Sequence, residues 1–314
     1  MILLCGIPSE APMRLVIEAA EQLGAAYLLL NQREARYIDL CLCVQDGYVD
    51  GVLCIGEQER LLTAFSGVYV RLMDYQDLPE NQYHGRTPPD GDAVYKSQVL
   101  HQSLIEWLEL ADCRVMNRLS AMGSNMSKPY QAQLIAQSGF RTPATLITNE
   151  PEEIQAFLRV HKRVIYKSVS SVRSIVKELS ASKLNELHKV RYLPTQFQAF
   201  VPGTNIRVHV VGHRLFATEI QTEAVDYRYA GQDGIDVNMV PVTLPPEIEA
   251  RCVALAEALE LPLCGIDLKR TLEGDYYCFE VNPSPGFSYY QASTGQPIAA
   301  AIVAYLQDGA GTAT

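Results

Sequence analysis

Apolar and polar positions follow two periods along this chain, and the changes between them mark its elements. Residues 2–6 form a short apolar run and predict a first strand. Residues 12–23 repeat apolar positions at helical spacing and are closed by Gly24, which predicts an amphipathic helix. Strands are expected at 27–30 and 68–72. Runs 37–44 and 51–55 flank Asp46-Gly47, a hairpin signal. Residues 78–92 are polar with Pro79, Pro88 and Pro89, so a loop is expected. Residues 93–111 predict a helix whose Trp107 belongs in the core. This βα-β order predicts a small open α/β sheet over residues 1–115. It carries no G-x-G-x-x-G, so no dinucleotide site is expected.

A boundary falls near 115–117. Pro129 opens a helix that runs to Gln137 and ends at Gly139, and strand 144–148 follows. Next come helix 152–160, strand 163–167 ending in Lys167, a small-residue loop, strand 175–179 and strand 194–201. Residues 207–211 and 215–220 read as a hairpin turned at Gly212-His213. A strand at 239–244 and a helix at 246–259 precede a second hairpin, 264–269 and 276–281, turned at Glu273-Gly274. Residues 286–295, with Tyr289, Tyr290 and Ser293, read as loop. Residues 297–306 predict a terminal helix, and 307–314 a frayed end.

Composition narrows the class. A chain of 314 residues, 48% hydrophobic and 20% charged, is an ordinary globular sequence with room for two or three layered units. It has no run of about 18 apolar residues, so no membrane span is expected. Its N-terminus reads as a strand rather than a signal peptide, and a cytoplasmic place is expected. Eight Cys lie mostly in apolar runs without C-x-x-C spacing, which predicts buried, reduced thiols; Cys41 and Cys43, at i and i+2 of one strand, lack a second pair. A net charge of −10 argues against nucleic acid as a partner. The six His lack metal-ligand spacing, and neither G-x-S-x-G nor a Cys–His pairing points to hydrolase chemistry.

The chemistry concentrates in residues 264–286, CGIDLKRTLEGDYYCFEVNPSPG. Asp267 lies on the first strand of that hairpin. Glu280 and Asn282 lie at i and i+2 near the end of the second, so they share a face. Three oxygen-bearing side chains can thus meet at one sheet edge, and such a set, with positions left for water and phosphate, suits Mg²⁺. A solvated hairpin is the alternative, but carboxylates in so apolar a stretch need a partner to offset desolvation. Pro283-Ser284-Pro285-Gly286 stops the strand. Lys128 sits at a helix N-terminus, a place that favours anions. Arg71 and Asp74, at a strand end, reach either a neighbouring cleft or only each other as a surface ion pair.

A strand with Asp, a hairpin and then Glu-x-Asn-Pro resembles the magnesium end of the ATP-grasp superfamily. The nearest subgroup is the RimK-like peptide ligases, including the microviridin-type (graspetide) macrocyclases, and the resemblance runs from about Asn117 to Leu306. It implies an α/β (α+β) ATP-grasp fold. A pre-ATP-grasp domain would span 1–115, and a central sub-domain at 116–195 and a C-terminal one at 196–314 would clasp ATP.

By the same resemblance, Lys128 and Lys167 contact phosphate. The loop after Lys167 covers the phosphates, with Ser168, Ser170, Ser171 and Ser174 where the family has glycines; Arg173 is a phosphate contact or solvated. Gln198, Ala199, Phe200 and Val201 match the hinge that meets adenine, with Ala199 where Glu is usual. Asn205 replaces the Asp of a ribose contact. Arg207 faces the transferred phosphate, and Asp226-Tyr227-Arg228 resembles the subgroup's Asp-Trp-Arg, which makes Arg228 a second clamp. Asp267, Glu280 and Asn282 are the metal ligands.

The implied activity is ATP-dependent joining of a carboxylate to an amine or hydroxyl through an acyl phosphate, with Mg²⁺ and, in its place, Mn²⁺. The implied substrate is a ribosomal peptide whose leader is held by the 207–220 hairpin. A small-molecule carboxylate and a non-catalytic nucleotide-binding regulator are the alternatives, and a homodimer is left open.

Overall fold

The computed structural model describes residues 1–85, 87–168, 176–222 and 236–308. β1 (Ile2–Gly6) leads through α1 (Ala11–Gln22) to β2 (Tyr27–Asn31), which pairs with it in parallel. All five β1 residues are buried, as expected of a central parallel strand covered on both faces. Met13, Val16, Ala19 and Ala20 form the buried stripe of α1. β3 (Ile38–Gln45), β4 (Tyr48–Ile55) and β5 (Gln58–Leu61) make a separate antiparallel meander. β6 (Gly67–Arg71) then returns to β1; α2 (Gly91–Leu110) follows, and β7 (Arg114–Met116) joins β6. The parallel sheet order is β2-β1-β6-β7.

The second part opens with α3 (Lys128–Gln137), β8 (Thr145–Thr148), α4 (Pro151–His161), β9 (Val164–Ser168), β10 (Lys177–Glu178), α5 (Ala181–Leu184) and β11 (Thr195–Ala199). Its strands form an antiparallel sheet ordered β10-β9-β11-β8. β12 (Thr204–Val211), β13 (Arg214–Gln221), β14 (Asn238–Val242), α6 (Pro246–Ala258), β15 (Leu263–Arg270) and β16 (Tyr276–Asn282) follow, and these strands form the sheet β14-β13-β12-β15-β16. α6 covers one face of it through Ile248, Cys252, Leu255 and Ala256. α7 (Ser288–Thr294) and α8 (Ile298–Gln307) close the chain. α8 is apolar on nearly all sides because it is a wedge. Ile298, Ile302 and Leu306 share one core with Ile2, Leu4 and Met13 of the first sheet's layer and with Val211 and Leu263 of the last sheet.

Several sequence expectations change. Residues 286–295 are not loop throughout, since α7 occupies 288–294. Tyr290 is buried, Thr294 Oγ1 donates to the Tyr290 carbonyl at 2.7 Å, and Gly295 ends the helix at φ 71°. The strand expected at 175–179 is reduced, within its described part, to Lys177–Glu178. Cys5, Cys252, Cys264 and Cys278 are buried, but Cys41 and Cys43 are exposed, because Leu40 and Leu42 of β3 take the core side and the cysteines alternate outward. β5 and β7 are additions to the expected strands, one hidden because QERL is polar and one because it has three residues. Trp107 is in the core. No described helix is long and apolar enough to cross a membrane.

Candidate active site

Strand register builds the site. Across β12 and β15, Asn205 faces Lys269, Arg207 faces Asp267 and His209 faces Gly265. Across β15 and β16, Asp267 faces Glu280 and Gly265 faces Asn282. The register shifts after Asp267, so Leu268 pairs with Cys278 and Phe279 is the extra residue of a β-bulge. Because side chains alternate, Arg207, Asp267, Glu280 and Asn282 lie together on one face of the sheet. This face and the β9–β11 sheet enclose a cleft of about 820 Å³, its open mouth included. Lys167, Gln198, Asn205, Asp267 and Glu280 line it, with Phe279 brought in beside Glu280.

Arg207 is 7% exposed, and its Nη1 donates to Asp267 Oδ1 at 2.7 Å. The guanidinium lies directly over Gly265: a Cβ there would stand 2.0 Å from Nη2. Arg207 crosses to Asp267 only because residue 265 has no side chain. His209, buried on the same face, packs edge-on against Tyr290 at 4.8 Å. Burial, and then the charge of Arg207, hold its imidazole well below the usual pKa, so it is neutral.

α3 reaches the site from outside the sheet. Lys128, its first residue, places Nζ 3.9 Å from Glu280 Oε2. One turn on, Gln131 is buried; its Nε2 donates to the Val281 carbonyl at 2.8 Å and its Oε1 accepts the Val281 N–H at 2.9 Å. β16 is the last strand of its sheet, so Gln131 stands where a further strand would bond, and it does so between Glu280 and Asn282. Lys128, Gln131, Lys167 and Glu280 also share a smaller adjoining cavity. Asn117 ties the hairpin's other end: its Nδ2 donates to the carbonyls of Leu263 at 2.6 Å and Pro283 at 2.5 Å. The Asn282 side chain accepts the Ser284 N–H at 2.9 Å, which fixes its orientation.

Arg71 belongs with the loop after Asn282. It pairs with Glu10 and donates to Ser284 Oγ at 3.2 Å and the Pro285 carbonyl at 3.3 Å. Asp74 instead caps a short 3-10 turn through the Gln76 N–H, away from the cleft. Of the hinge residues, Gln198, Phe200 and Val201 line the cleft and Ala199 does not. The N–H groups of Ala199 and Phe200 are taken by the carbonyls of Ala144 and Arg163 at 2.9 and 3.0 Å. A ligand base would therefore meet this strand through other groups. Gln198 Nε2 donates to Thr145 Oγ1, which donates onward to the Pro143 carbonyl, so the amide's orientation is set. Among the described residues its Oε1 is buried with no hydrogen-bond partner.

Ser170, Ser171, Arg173, Ser174, Asp226, Tyr227 and Arg228 lie outside the described residues. Gln131, Gly265, Phe279 and Lys269 line or support the candidate site, and the sequence motifs do not single them out. Signals for two exist, since Gln131 is three residues from Lys128 on one helix face and Lys269 is two from Asp267 on one strand face.

Among the described residues no cluster of three His, Cys, Asp or Glu is placed to hold a metal. The candidate set is sparser: two facing carboxylates and one amide oxygen. Such a set fits a hard cation that keeps water or phosphate oxygens in its remaining positions, as Mg²⁺ does, and does not fit an all-protein cage.

The family model for the RimK-like ATP-grasp domain matches residues 126–306. A probable alpha-L-glutamate ligase of Xylella fastidiosa (strain M12) is 25% identical over 248 residues, covering 75% of this chain and 80% of that protein. One from Teredinibacter turnerae (strain ATCC 39867 / T7901) is 27% identical over 256 residues, covering 75% and 84%. Among solved structures, a Chryseobacterium gregarium RiPP-associated ATP-grasp ligase in complex with ADP and a leader and core peptide superposes with a TM-score of 0.79. It is 26% identical over 98% of this chain and 97% of that one. The macrocyclase MdnC of Microcystis aeruginosa MRC, bound with precursor peptide MdnA, has a TM-score of 0.76 at 21% identity over 98% and 100%, a likeness of fold.

Proposed function

This chain belongs to the RimK-like ATP-grasp family, and from that premise we propose that it uses ATP to join a carboxylate to an amine or hydroxyl, with a ribosomal peptide as substrate. The observation that carries the reading is the convergence of Arg207, Asp267, Glu280 and Asn282 on one sheet face, with Lys128 and Lys167 at the adjoining cavity. The peptide part rests on the peptide-bound Chryseobacterium gregarium enzyme, which shares nearly the whole length of this chain. Addition of a free amino acid is the second reading, favoured by the curated relatives' names. A purely regulatory role is disfavoured by the retention of Lys167, Arg207 and the acidic pair.

A carboxylate attacking the γ-phosphate of ATP meets another anion. Asp267, Glu280 and Asn282 would hold Mg²⁺ there, with Mn²⁺ expected to substitute, and it would supply neutralising charge. Lys128 and Lys167 add positive charge along the phosphates. Arg207, aimed by Asp267, faces the oxygens on which charge develops as phosphate moves to the acid. ADP and an acyl phosphate result; an amine or hydroxyl attacks the acyl carbon and phosphate leaves. We assign Arg228 as a second clamp and Ser170 and Ser171 as phosphate donors. Residues 116–195 and 196–314 then form the two jaws, with residues 1–115 behind the ligand loop at Arg71. Eight free cysteines suit a reducing cytoplasm.

Gln131→Leu is expected to raise the Mg²⁺ concentration for half-maximal turnover about tenfold or more, as loss of partners that orient metal ligands does. Metal-free ATP binding should hold, and a titration of rate against Mg²⁺ at saturating ATP reads the effect. An unchanged Mg²⁺ midpoint with a lower melting temperature would reduce Gln131 to a packing residue. The function itself is tested by ADP release, with mass spectrometry of the products. Short peptides encoded beside this chain and free glutamate are offered separately, and light scattering on the same sample reads self-association. ADP release with loss of water from a peptide is expected. Release with glutamate alone would select the second reading, and tight ATP binding without turnover on either would select the regulatory one.

A further inference from the structure

Lys269 lies on the cleft-lining face of β15, opposite Asn205 of β12. Its ammonium stands 5.3 Å from the ring centre of Phe200 and 5.8 Å from that of Phe279. Among the described residues it has no carboxylate or hydrogen-bond acceptor, only these two ring faces. Arg163 shares the Phe200 ring with it. Arg163 is itself committed, paired to Glu178 at 2.9 Å and stacked on Phe200 at 3.7 Å. A half-buried ammonium facing only aromatic rings lacks the oxygen or nitrogen acceptors that would offset its desolvation. A ligand in the cleft is the available source.

Position along the strand selects the part of that ligand. Asp267, Arg207 and Glu280 occupy the row at the phosphate end. Lys269 and Asn205 occupy the next row on the same face, about 7 Å away by the two-residue strand repeat. Phe200 and Val201, of the strand matched to the base-binding hinge, line the same cleft, and Lys269 borders Phe200. The group between phosphate and base in a nucleotide is its sugar, whose hydroxyl oxygens accept from an ammonium and accept from or donate to an amide.

We propose that Lys269, with Asn205 beside it, binds the ribose of the nucleotide at its 2′-hydroxyl and makes the cleft select ribonucleotides over deoxyribonucleotides. The proposal rests on the reading that this cleft holds ATP. Lys269 replaces nothing in the metal set: it is a substrate contact one row removed from the reacting phosphate.

The test is calorimetric binding of ATP and of 2′-deoxy-ATP to the full chain and to Lys269→Met, whose side chain keeps the stem between the rings and drops the charge. The wild type is expected to prefer ATP about tenfold, the size of one hydrogen bond to a charged donor. The variant is expected to lose that preference by binding ATP more weakly, with 2′-deoxy-ATP unchanged. Equal binding of both nucleotides by the wild type overturns the proposal. So does an equal loss for both in the variant, which would move Lys269 to the base or phosphates, or no loss at all. Absence of ATP binding by the wild type would instead remove the nucleotide reading, and this inference with it. If the variant melts early, labelling of the wild type replaces it: ATP should protect Lys269 from reductive methylation more than 2′-deoxy-ATP does, and equal protection overturns the proposal.

Discussion

Glu280→Gln and Asp267→Asn are each expected to lower ATP-driven coupling about a thousandfold or more, the scale of removing several kcal/mol of charge stabilisation from a phosphoryl transfer. The two should differ in stability. Glu280 is partly exposed, and its ion-pair partner among the described residues, Lys128, is 3.9 Å away, so the folded chain loses little when its charge goes. Asp267 holds Arg207 at 2.7 Å, and Arg207 is nearly buried. Taking the carboxylate away leaves a buried guanidinium with a weaker acceptor, which costs about 1–3 kcal/mol. A coupled assay for ADP and a thermal melt of each variant read both effects. Full turnover in either variant would remove that residue from the metal set, and equal melting temperatures would contradict the role of Asp267 in holding Arg207.

Arg207→Lys should cut kcat about 10²–10³-fold while leaving ATP affinity nearly intact, the loss seen when one donor to a developing oxyanion is removed. Lysine keeps the charge but not the planar fork that spans from Asp267 to a phosphoryl oxygen. Gly265→Ala separates position from charge. The new Cβ would stand 2.0 Å from Nη2, so the guanidinium must move although no charged group has changed. We expect a kcat loss in the same direction, with the fold retained because the colliding atoms are the far end of a flexible side chain. Wild-type kcat in Gly265→Ala would show that the position of Arg207 over residue 265 is not used.

Much of this geometry is legible in the amino-acid sequence. Glu280 and Asn282 share a face because the strand period is two, but Asp267 joins them only through the bulge at Phe279, since regular pairing on from Leu268 and Cys278 would set Asp267 opposite Phe279. The parallel first sheet follows from a buried run, an amphipathic helix and a second run. What the sequence hides, it hides for physical causes. The bulge at Phe279 lies inside CFEV, which reads as regular strand, since nothing in an apolar run marks an extra residue. α7 lies among glycines and prolines that signal loop, and it forms because Tyr290 finds a core with Ile220 and Met239. Gln131 resembles any other polar helix residue, because its worth depends on an edge strand 150 residues away. For Arg71, sequence leaves cleft and surface equally open; its bonds to Ser284 and Pro285, far along the chain, answer that.

The most direct measurement is anomalous scattering from crystals of this chain grown with Mn²⁺ and a non-hydrolysable ATP analogue. A manganese peak is predicted within coordination distance of Asp267, Glu280 and Asn282, bridged to the phosphates of a nucleotide whose sugar lies toward Lys269. A nucleotide bound with its metal held elsewhere, or those three side chains turned away from an ordered triphosphate, would contradict the account.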